Sequence, residues 1–494
     1  MTTDPRPPQP ASGPVLAIDV GTSSAKAALL DQSGAVLEDA QASLSTTRGP
    51  DGRMHQHLDD WQDAVSAVIA DCLRGNGSRS PAPSPLAAVS VTGQMQDLVL
   101  LDEHGRPTHP VVLYSDTHAR SELADLSRAN PAWAPSIAVT PPPGPDALPP
   151  KLLHVARTAP AAYAASRTVL FSAAGWVVHA LTGDAVCDRL TASTTGLYDP
   201  RTDDWIPLRS PDGTAPDTGH RSGPDPLVPA HLRLPRLVDP GIVGPVGAQA
   251  ARAFGVPAGT PVVLALGDAG SATDGTVGSE PGDVYLHLGT TGWVAHVDPT
   301  PAAQLPLPDE TGETVDRHRL AHPAGHLAIA RLPEAGEALA RARRDLLDLT
   351  DPHSPGAHAI AEAALVQPPT STSARAATPD GAAATRAAAA YGEVVEALAA
   401  DVAALLERLG AEPDRLPATG GVVRSPMVRQ FIEQAVGVPV DVMGVGGPGG
   451  ARSAAGSGGE LTLTASDAGL LSCARVAFDA LGVEHTVTPL AQRS

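Results

Sequence analysis

Cysteine is scarce in this sequence, and its few copies are far apart. Cys72, Cys187 and Cys473 are the only cysteines among 494 residues. They show no CxxC or zinc-type spacing, and their odd number does not suit a framework of disulfides. A reducing cytoplasm is therefore the simplest compartment for the protein.

Lysine is scarcer still, and negative charge dominates. Lys26 and Lys151 are the only lysines among 34 basic residues, against 54 acidic residues, so the formal net charge is -20. Such a charge repels phosphate backbones and anionic lipid surfaces, and we expect neither nucleic acid nor a membrane as a partner. A bound phosphate group would have to be held by backbone N–H groups, hydroxyls and a divalent cation.

Long apolar runs are missing as well. No run approaches the roughly 20 residues of a membrane helix, and the start MTTDPRPPQPASG has no apolar signal core, so we expect residues 1–13 to be a disordered tail. The 42% hydrophobic and 18% charged fractions are typical of a folded soluble protein. A chain of 494 residues is too long for one compact core, which predicts two or more domains.

Two similar strand–turn–strand units are predicted, one opening each half of the chain. The first joins apolar runs at 15–18 and 27–30, and the second joins runs at 284–288 and 293–297. A third run at 35–37 extends the first unit into a small antiparallel meander. Both turns repeat the order apolar residue, glycine, threonine, hydroxyl residue, which is what an internal duplication would leave.

The residues of these turns can bind a phosphate group. Asp19 ends the first run, and its carboxylate stands beside a turn whose N–H groups and hydroxyls can surround a phosphate or a hydrated Mg²⁺. An ordinary hairpin turn would use the same residue types, but the repeat favours phosphate binding. The predicted phosphate-binding residues are Gly21, Thr22, Ser23, Gly289, Thr290 and Thr291.

A second carboxylate follows a buried strand. The continuous apolar run 261–266 leads to Asp268 and the small residues Ala269 and Gly270. Open α/β sheets bind their ligands at this end of a strand. Asp268 can accept a proton from an attacking hydroxyl and can help to hold a metal complex. Alternatively, it caps a helix that begins near Ser271.

A glycine pair near the C-terminal end is a weaker signal. Gly420 and Gly421, followed by Ser425 and a predicted helix, allow close backbone approach to a flat ligand such as adenine. A glycine turn before a helix is common without any ligand, and taken alone the pattern favours that interpretation.

Periodicity and turn residues predict the remaining elements. They are helices over 61–73, 169–182, 391–409 and 427–436, strands over 86–92 and 438–442, loops over 141–150, 188–197 and 210–229, and a mobile low-complexity stretch over 366–390.

Together these segments resemble the FGGY carbohydrate kinases, particularly xylulokinases and gluconokinases, of the actin-like and Hsp70-like ATPase superfamily. The likeness runs from about residue 15 to residue 442, through AIDVGTSSAKAAL, VTGQMQDLVLLDEHGRPTHPVVLYSD, PKLL, GWVVHALTGDAVCDRLTASTTGLYD, ALGDAGSATDGTVG, LHLGTTGWV and TGGVVRSPMVRQFIEQAVGVPV. It implies an α/β fold of two similar ribonuclease-H-like (actin-like ATPase) lobes with a cleft between them. The implied N-terminal lobe, 14–274, holds the sugar and the first phosphate loop; the C-terminal lobe, 275–482, holds the nucleotide; residues 483–494 form a tail.

The same resemblance implies a reaction and its residues. The expected reaction is ATP-dependent phosphorylation of a sugar hydroxyl with Mg²⁺ as cofactor, on a pentulose such as xylulose, and a homodimer is compatible with it. The implied roles are catalytic base for Asp268, metal binding for Asp19 and Asp268, sugar binding for Met95, Gln96 and Asp268, and nucleotide-base binding for Gly420, Gly421 and Ser425.

Three departures from the family pattern qualify this expectation. Gln96 stands where xylulokinases have histidine, and Ala269 where they have asparagine, so the sugar or its binding differs. The Gly-Glu-Arg segment expected before the helix at 391 is missing, which favours as an alternative a catalytically weak sugar- and nucleotide-binding regulatory protein. A chaperone or filament ATPase is disfavoured because the GQM and GDA segments belong with sugar kinases.

Overall fold

The computed structural model describes residues 13–74, 85–137, 139, 143–212, 225–307, 317–332, 334–351, 354–366, 379–443, 464 and 467–493. The chain divides into two compact units. The first is Met1–Gly278, Thr300–His326 and Ala451–Arg493, and the second is Ser279–Pro299, Leu327–Gly450 and Ser494. Except for Gly13, the predicted N-terminal tail lies outside the described residues.

The first unit is built on a six-stranded sheet that contains the predicted meander. Its central strands are parallel, and the strand with Asp19 lies between a parallel and an antiparallel neighbour. In order across the sheet, the strands are Gly241–Pro245, Pro261–Leu264, Ala88–Gly93, Val15–Val20, Ser24–Leu30 and Val36–Ser43.

Alternation along the first strand explains why both faces of this sheet are covered. Side chains one residue apart point to opposite faces of a strand. Leu16 and Ile18 belong to the core that includes helix Leu58–Arg74, whereas Val15 and Ala17 belong to the core that includes helix Ala468–Leu481. The strand is therefore apolar from Val15 to Ile18, as its sequence indicates.

The last helix packs on the sheet of the first unit. Leu471 and Phe478 of helix Ala468–Leu481 are buried against the first sheet, so this segment belongs to the first unit although it lies in the predicted C-terminal lobe. Within the predicted tail 483–494, the N–H of Thr486 donates to the carbonyl of Gln32 over 2.8 Å. The lobe boundaries stay a prediction, and the compact units do not coincide with them.

Two predicted elements of the first unit are wrong. Residues 169–182 are not one helix, because the β-branched and aromatic run Thr168–Ser172 forms a strand and the helix is Ala173–Thr182. Residues 188–197 are not a loop, because strand Val186–Asp188 leads into helix Arg189–Thr194. In both places a side chain caps the helix by accepting a backbone N–H: the Ser172 hydroxyl from Gly175, and the Asp188 carboxylate from Thr191.

The second unit has its own sheet, which contains the second predicted strand–turn–strand. Five of its strands lie in the order Gly325–Leu332, Gly292–Asp298, Val284–Leu288, Leu416–Thr419 and Val440–Val442. The helices of this unit are Ala335–Leu347, Pro355–Val366, Pro379–Leu409 and Pro426–Val436.

The predicted mobile stretch 366–390 is partly helical. Helix Pro379–Leu409 begins twelve residues before Tyr391, because alanine has the highest helix propensity and this segment is rich in alanine. Tyr391, Val395 and Val402 of this helix are buried in the core of the second unit. Residues 367–378 lie outside the described residues.

The remaining elements are short. Strands are Thr47–Arg48, Met54–Gln56, Met95–Leu101, Val111–Val112, Tyr198–Asp199, Asp204–Trp205, Arg236–Val238 and His318–His322. Helices are Arg120–Ala129, Leu148–Thr158, Pro160–Ala165, Ala248–Phe254 and Asp268–Thr276, with 3-10 turns at Ala134–Ser136, Ala302–Gln304, Val422–Arg424 and Leu490–Gln492. Within the described part of the chain, no helix is both long and apolar enough to cross a membrane.

Candidate active site

Asp19 and Asp268 lie at the same edge of the first sheet. Asp19 is in register with Thr92 on the neighbouring parallel strand, and the Thr92 hydroxyl donates to the carbonyl oxygen of Leu266 over 2.7 Å. Two residues further on is Asp268, whose carboxyl group interacts electrostatically with that of Asp19. The structure therefore brings together the two predicted metal-binding carboxylates, because parallel strands end at a common edge.

Asp268 is the first residue of helix Asp268–Thr276, so it does not cap a helix that starts near Ser271. Its carboxylate accepts a hydrogen bond from the N–H of Ala269 over 2.7 Å. Asp268 is exposed to solvent. Desolvation by the surrounding protein raises the pKa of its carboxyl group to about 7, the negative charges of Asp19 and Asp188 act in the same direction, and the Ala269 N–H opposes them.

Gly267, the residue before Asp268, is closely packed by side chains. A Cβ atom on Gly267 would lie 2.2 Å from the Met95 sulfur and 2.5 Å from the Thr191 hydroxyl. Met95, a predicted sugar contact, therefore packs directly beside the segment that carries Asp268. The N–H of Gly267 donates to the buried Asp188 carboxylate over 3.3 Å. Sequence reasoning missed Asp188, although an aspartate one position before a helical run is a typical cap.

Gln96, the second predicted sugar contact, has a strained backbone. Its φ angle is +63°, in the left-handed region, and the strand pairing shifts register between Met95 and Val99. The Gln96 side-chain amide donates to the carbonyl oxygen of Asp146 over 3.1 Å. Strain of this kind costs about 1–3 kcal/mol and tends to occur at functional sites.

Gln96 is followed by a buried aspartate, Asp97, whose charge interacts with that of the buried Lys151; neither residue was predicted to have a role. Asp97 is fully buried; one carboxylate oxygen accepts from the N–H of Tyr114 over 3.1 Å, and the other has no hydrogen-bond partner within the described residues. Burial raises the pKa of Asp97, while the Tyr114 N–H and the charge of Lys151 oppose the rise. The buried Lys151 ammonium donates to the carbonyl oxygens of Leu113 and Tyr114 over 2.7 and 3.2 Å, and burial lowers its pKa to about 8.

The first predicted phosphate turn is held by a chain of amides. The Thr22 hydroxyl donates to the side-chain oxygen of Gln94 over 2.9 Å, and the Gln94 amide donates to the side-chain oxygen of Gln56 over 3.3 Å. The Gln56 amide donates in turn to the Thr22 carbonyl over 2.7 Å, and the Trp61 indole donates to Gln56, also over 2.7 Å. Because the Thr22 proton is used within the fold, its hydroxyl offers a ligand lone pairs rather than a donor.

The second predicted phosphate turn rests on the start of a helix. The N–H of Gly289 donates to the Thr291 carbonyl over 2.9 Å, which closes the turn. The N–H groups of Gly336 and Glu337, in the first turn of helix Ala335–Leu347, donate to the Thr290 carbonyl over 3.0 and 3.1 Å. The Thr290 and Thr291 side chains are exposed.

Gly420 adjoins this turn. Strand Leu416–Thr419 pairs in parallel with strand Val284–Leu288, and a Cβ atom on Gly420 would lie 2.2 Å from the carbonyl oxygen of Leu288 and 3.0 Å from the nitrogen of Gly289. The structure thus brings together the turns predicted to bind the phosphates and the nucleotide base.

Ser425 has a role within the fold. It caps helix Pro426–Val436 by accepting the N–H of Val428 over 3.1 Å, and its own proton goes to the Glu362 carboxylate. Its predicted contact with the nucleotide base would have to compete with these bonds.

The two first-unit carboxylates suit Mg²⁺. No group of three or more histidine, cysteine, aspartate or glutamate side chains that could hold a metal ion lies within the described residues. Mg²⁺ bound together with a nucleotide needs fewer ligands from the protein, usually one or two carboxylates beside water and phosphate oxygens. Asp19 and Asp268, adjacent at one sheet edge, are a donor set of that kind.

The Thr22 hydroxyl is bonded to a buried side chain, whereas the Thr290 hydroxyl is exposed. Removing the two hydroxyls should therefore have different effects on stability. Thr22→Ala leaves the buried Gln94 oxygen without its donor, so we expect the free energy of unfolding to fall by about 1–3 kcal/mol. Thr290→Ala removes an exposed hydroxyl, and unfolding should stay near the parent value. Thr290→Ala should raise the KM for Mg·ATP, whereas Thr22→Ala should change it less, because the Thr22 proton is already donated to Gln94. Urea unfolding and initial rates at varied ATP measure the two effects, and an unchanged KM in Thr290→Ala would remove that turn from the phosphate site.

Comparison with known families and proteins gives a consistent result. A model of the N-terminal domain of the FGGY family of carbohydrate kinases matches residues 14–275, and a model of the C-terminal domain of that family matches residues 337–456. A xylulose kinase from Streptomyces rubiginosus is 30% identical over 298 residues, which are 58% of this chain and 54% of that protein. The chain therefore matches about half the length of that relative. An erythritol kinase from Brucella abortus is 27% identical over 480 residues, 91% of this chain and 86% of that protein.

Solved structures agree in fold. The xylulose kinase from Rhodospirillum rubrum has a TM-score of 0.71 at 21% identity, with 95% of this chain and 91% of that chain covered. The gluconate kinase from Lactobacillus acidophilus has a TM-score of 0.68 at 19% identity, with coverages of 95% and 89%. At such identities the likeness shows the fold alone, the α/β fold of the actin-like ATPases.

Proposed function

Because the chain belongs to the FGGY family of carbohydrate kinases, we propose that it transfers the γ-phosphoryl group of ATP to a hydroxyl of a small sugar. The observation that carries this proposal is the position of Asp268. Its carboxylate is exposed at the carboxyl edge of the first sheet, beside Asp19 and next to Met95, where a sugar hydroxyl can reach it. Its pKa of about 7 suits a residue that takes up and releases a proton near neutral pH.

In the proposed step one bond to the γ-phosphorus forms, one bond to it breaks, and one proton is transferred. Asp268 accepts the proton of the sugar hydroxyl, the hydroxyl oxygen forms a bond to the γ-phosphorus, and the bond from that phosphorus to the β-γ bridging oxygen breaks as ADP leaves. Met95 and Gln96 orient the sugar. A bound Mg²⁺, held by Asp19 and Asp268, would neutralise charge on the transferring phosphoryl group.

The nucleotide part of the proposal rests on the second unit. The turn at Gly289, Thr290 and Thr291 would bind phosphate oxygens, and Gly420 with Gly421 would lie against the base. In the first unit, the N–H groups of Thr22 and Ser23 would contribute to phosphate binding, while the N–H of Gly21 closes the turn by donating to the Ser24 carbonyl over 3.0 Å. No basic patch is needed, which agrees with the low lysine content.

For the acceptor we propose an uncharged sugar, a pentulose such as xylulose. Gln96 donates to the carbonyl oxygen of Asp146, the carboxylate of Asp268 follows Gly267 beside Met95, and the Lys151 ammonium is turned to backbone carbonyls. A carboxylate substrate such as an aldonate would meet like charge there and would find Lys151 already engaged. Erythritol is the second candidate, because the Brucella erythritol kinase aligns over 91% of this chain.

The identity of the acceptor can be tested by measuring ATP consumption, through detection of ADP, with a panel of pentuloses, tetritols and aldonates. We expect turnover with a neutral pentulose or tetritol and little with aldonates. If an aldonate had the highest kcat/KM among the acceptors, the proposal of a neutral sugar would be wrong.

The alternative of a catalytically weak regulatory protein is favoured by one observation, the missing Gly-Glu-Arg segment. Such a protein would bind sugar and nucleotide in calorimetry and consume no ATP with any acceptor. We further propose a cytoplasmic location, since Cys72, Cys187 and Cys473 are buried and form no disulfide bond with one another. A homodimer stays a prediction, which light scattering at several concentrations would test.

Gln96 should determine the acceptor rather than the nucleotide. Its amide both donates and accepts and does not titrate near neutral pH, unlike the histidine of xylulokinases. Gln96→Ala removes this contact and should change the ratio of kcat/KM between acceptors by about tenfold, the effect of one lost hydrogen bond of roughly 1.4 kcal/mol. The KM for ATP should stay the same, which is the internal control. An unchanged ranking of acceptors would place Gln96 outside the sugar site.

A further inference from the structure

His287 contacts both turns of the second unit, although nothing in its sequence pattern singles it out. It lies on strand Val284–Leu288, one residue before the end of the strand. Its neighbours across the sheet are Trp293 on the antiparallel side and Thr419 on the parallel side. His287 is therefore at the centre of the five strands described for this unit, beside the ends of the strands that lead into both glycine turns.

The imidazole ring is held by contacts on three sides. Its Nδ1 atom lies 2.9 Å from the hydroxyl oxygen of Thr419, the residue directly before Gly420. Its face stacks on the indole of Trp293, with ring centres 3.9 Å apart and an angle of 16° between the planes. On the third side, a Cβ atom on Gly289 would come within 2.9 Å of Nε2, so the phosphate turn passes directly over the ring.

We propose that His287 is a positioning residue for the nucleotide: its imidazole holds the turn at Gly289 and the turn at Gly420 at the separation that ATP requires. A ligand with a base at one end and phosphates at the other binds well only if its two subsites keep a fixed distance. The inference rests on the proposed function, since it concerns the nucleotide part of that proposal.

Burial supports a neutral ring in this role. The surrounding protein lowers the pKa of His287, so the ring is uncharged at neutral pH and one of its nitrogens can accept a hydrogen bond. The ring therefore acts by its shape and by its bond to Thr419 rather than by charge.

The test uses direct binding of Mg·ADP and of adenosine by calorimetry. His287→Phe keeps a ring that can stack on Trp293 but loses the bond to Thr419, and Thr419→Val loses the same bond from the other side. Each should raise the Kd for Mg·ADP about two- to tenfold, the usual range for one hydrogen bond. Adenosine, which engages only the base turn, should keep its affinity. The double variant should bind like either single variant, because both remove one bond.

A matched control separates positioning from general loosening. His296→Phe makes the same exchange of side chains on the neighbouring strand Gly292–Asp298, opposite Val284 at the end of strand Val284–Leu288 that lies away from the two glycine turns. It should bind Mg·ADP as the parent does. If His296→Phe weakened binding as much as His287→Phe, or if His287→Phe and Thr419→Val both bound within twofold of the parent, the inference would be wrong. If the parent itself bound no nucleotide, the proposed function would fail, and this inference with it.

Discussion

Asp268→Asn should abolish phosphoryl transfer while leaving the acceptor bound. Asparagine keeps the size of the side chain and an oxygen that can accept from the Ala269 N–H, but it cannot take up the hydroxyl proton. Loss of a general base typically lowers the rate by about 10²–10⁴, and loss of a metal-binding charge adds to that. The kcat should be compared at pH 8, above the parent pKa of about 7, so that the parent carboxylate is ionised.

The control for this variant is binding and stability. Calorimetry should show sugar affinity close to that of the parent, and the free energy of unfolding should not fall, because the lost charge lies among like charges of Asp19 and Asp188. An Asp268→Asn enzyme that worked within about threefold of the parent rate would contradict the proposed mechanism, since a lost base costs far more than that.

Gly420→Ala should weaken nucleotide binding strongly. Gly420 has a φ angle of +100°, and an added methyl group would lie 2.2 Å from the carbonyl oxygen of Leu288, which is backbone and cannot move aside alone. The strained φ costs about 1–3 kcal/mol by itself. If the free energy of nucleotide binding falls by that amount, the Kd for Mg·ATP rises roughly 5- to 150-fold.

The neighbouring glycine provides the matched control. Gly421 has a φ angle of -72°, and a Cβ atom there would meet nothing within 4 Å. Gly421→Ala should therefore fold like the parent, and it weakens ATP binding only if the base lies directly on that residue. Equal effects of the two alanine variants on both unfolding and nucleotide binding would show that the backbone at Gly420 does not shape the site.

Local patterns were sufficient for the elements that carry the predicted site. The runs before Asp19, Asp268 and Gly289 form strands, as expected for short continuous apolar segments bounded by turn residues. The helix at 169–182 was wrong because periodicity does not separate a short apolar strand from the helix that follows it, and the capping bond of Ser172 marks the boundary only once the chain is folded.

By itself the sequence determined the α/β class, the two strand–turn–strand units and the position of Asp268 after a buried strand, because these depend on residues close together in the chain. Only the tertiary structure decided which side chains meet. The Thr22–Gln94 bond joins residues 72 apart, the His287–Thr419 contact joins residues 132 apart, and Lys26 pairs with Asp467 across 441 residues. Such contacts depend on how whole strands and helices pack, and no local pattern encodes that packing.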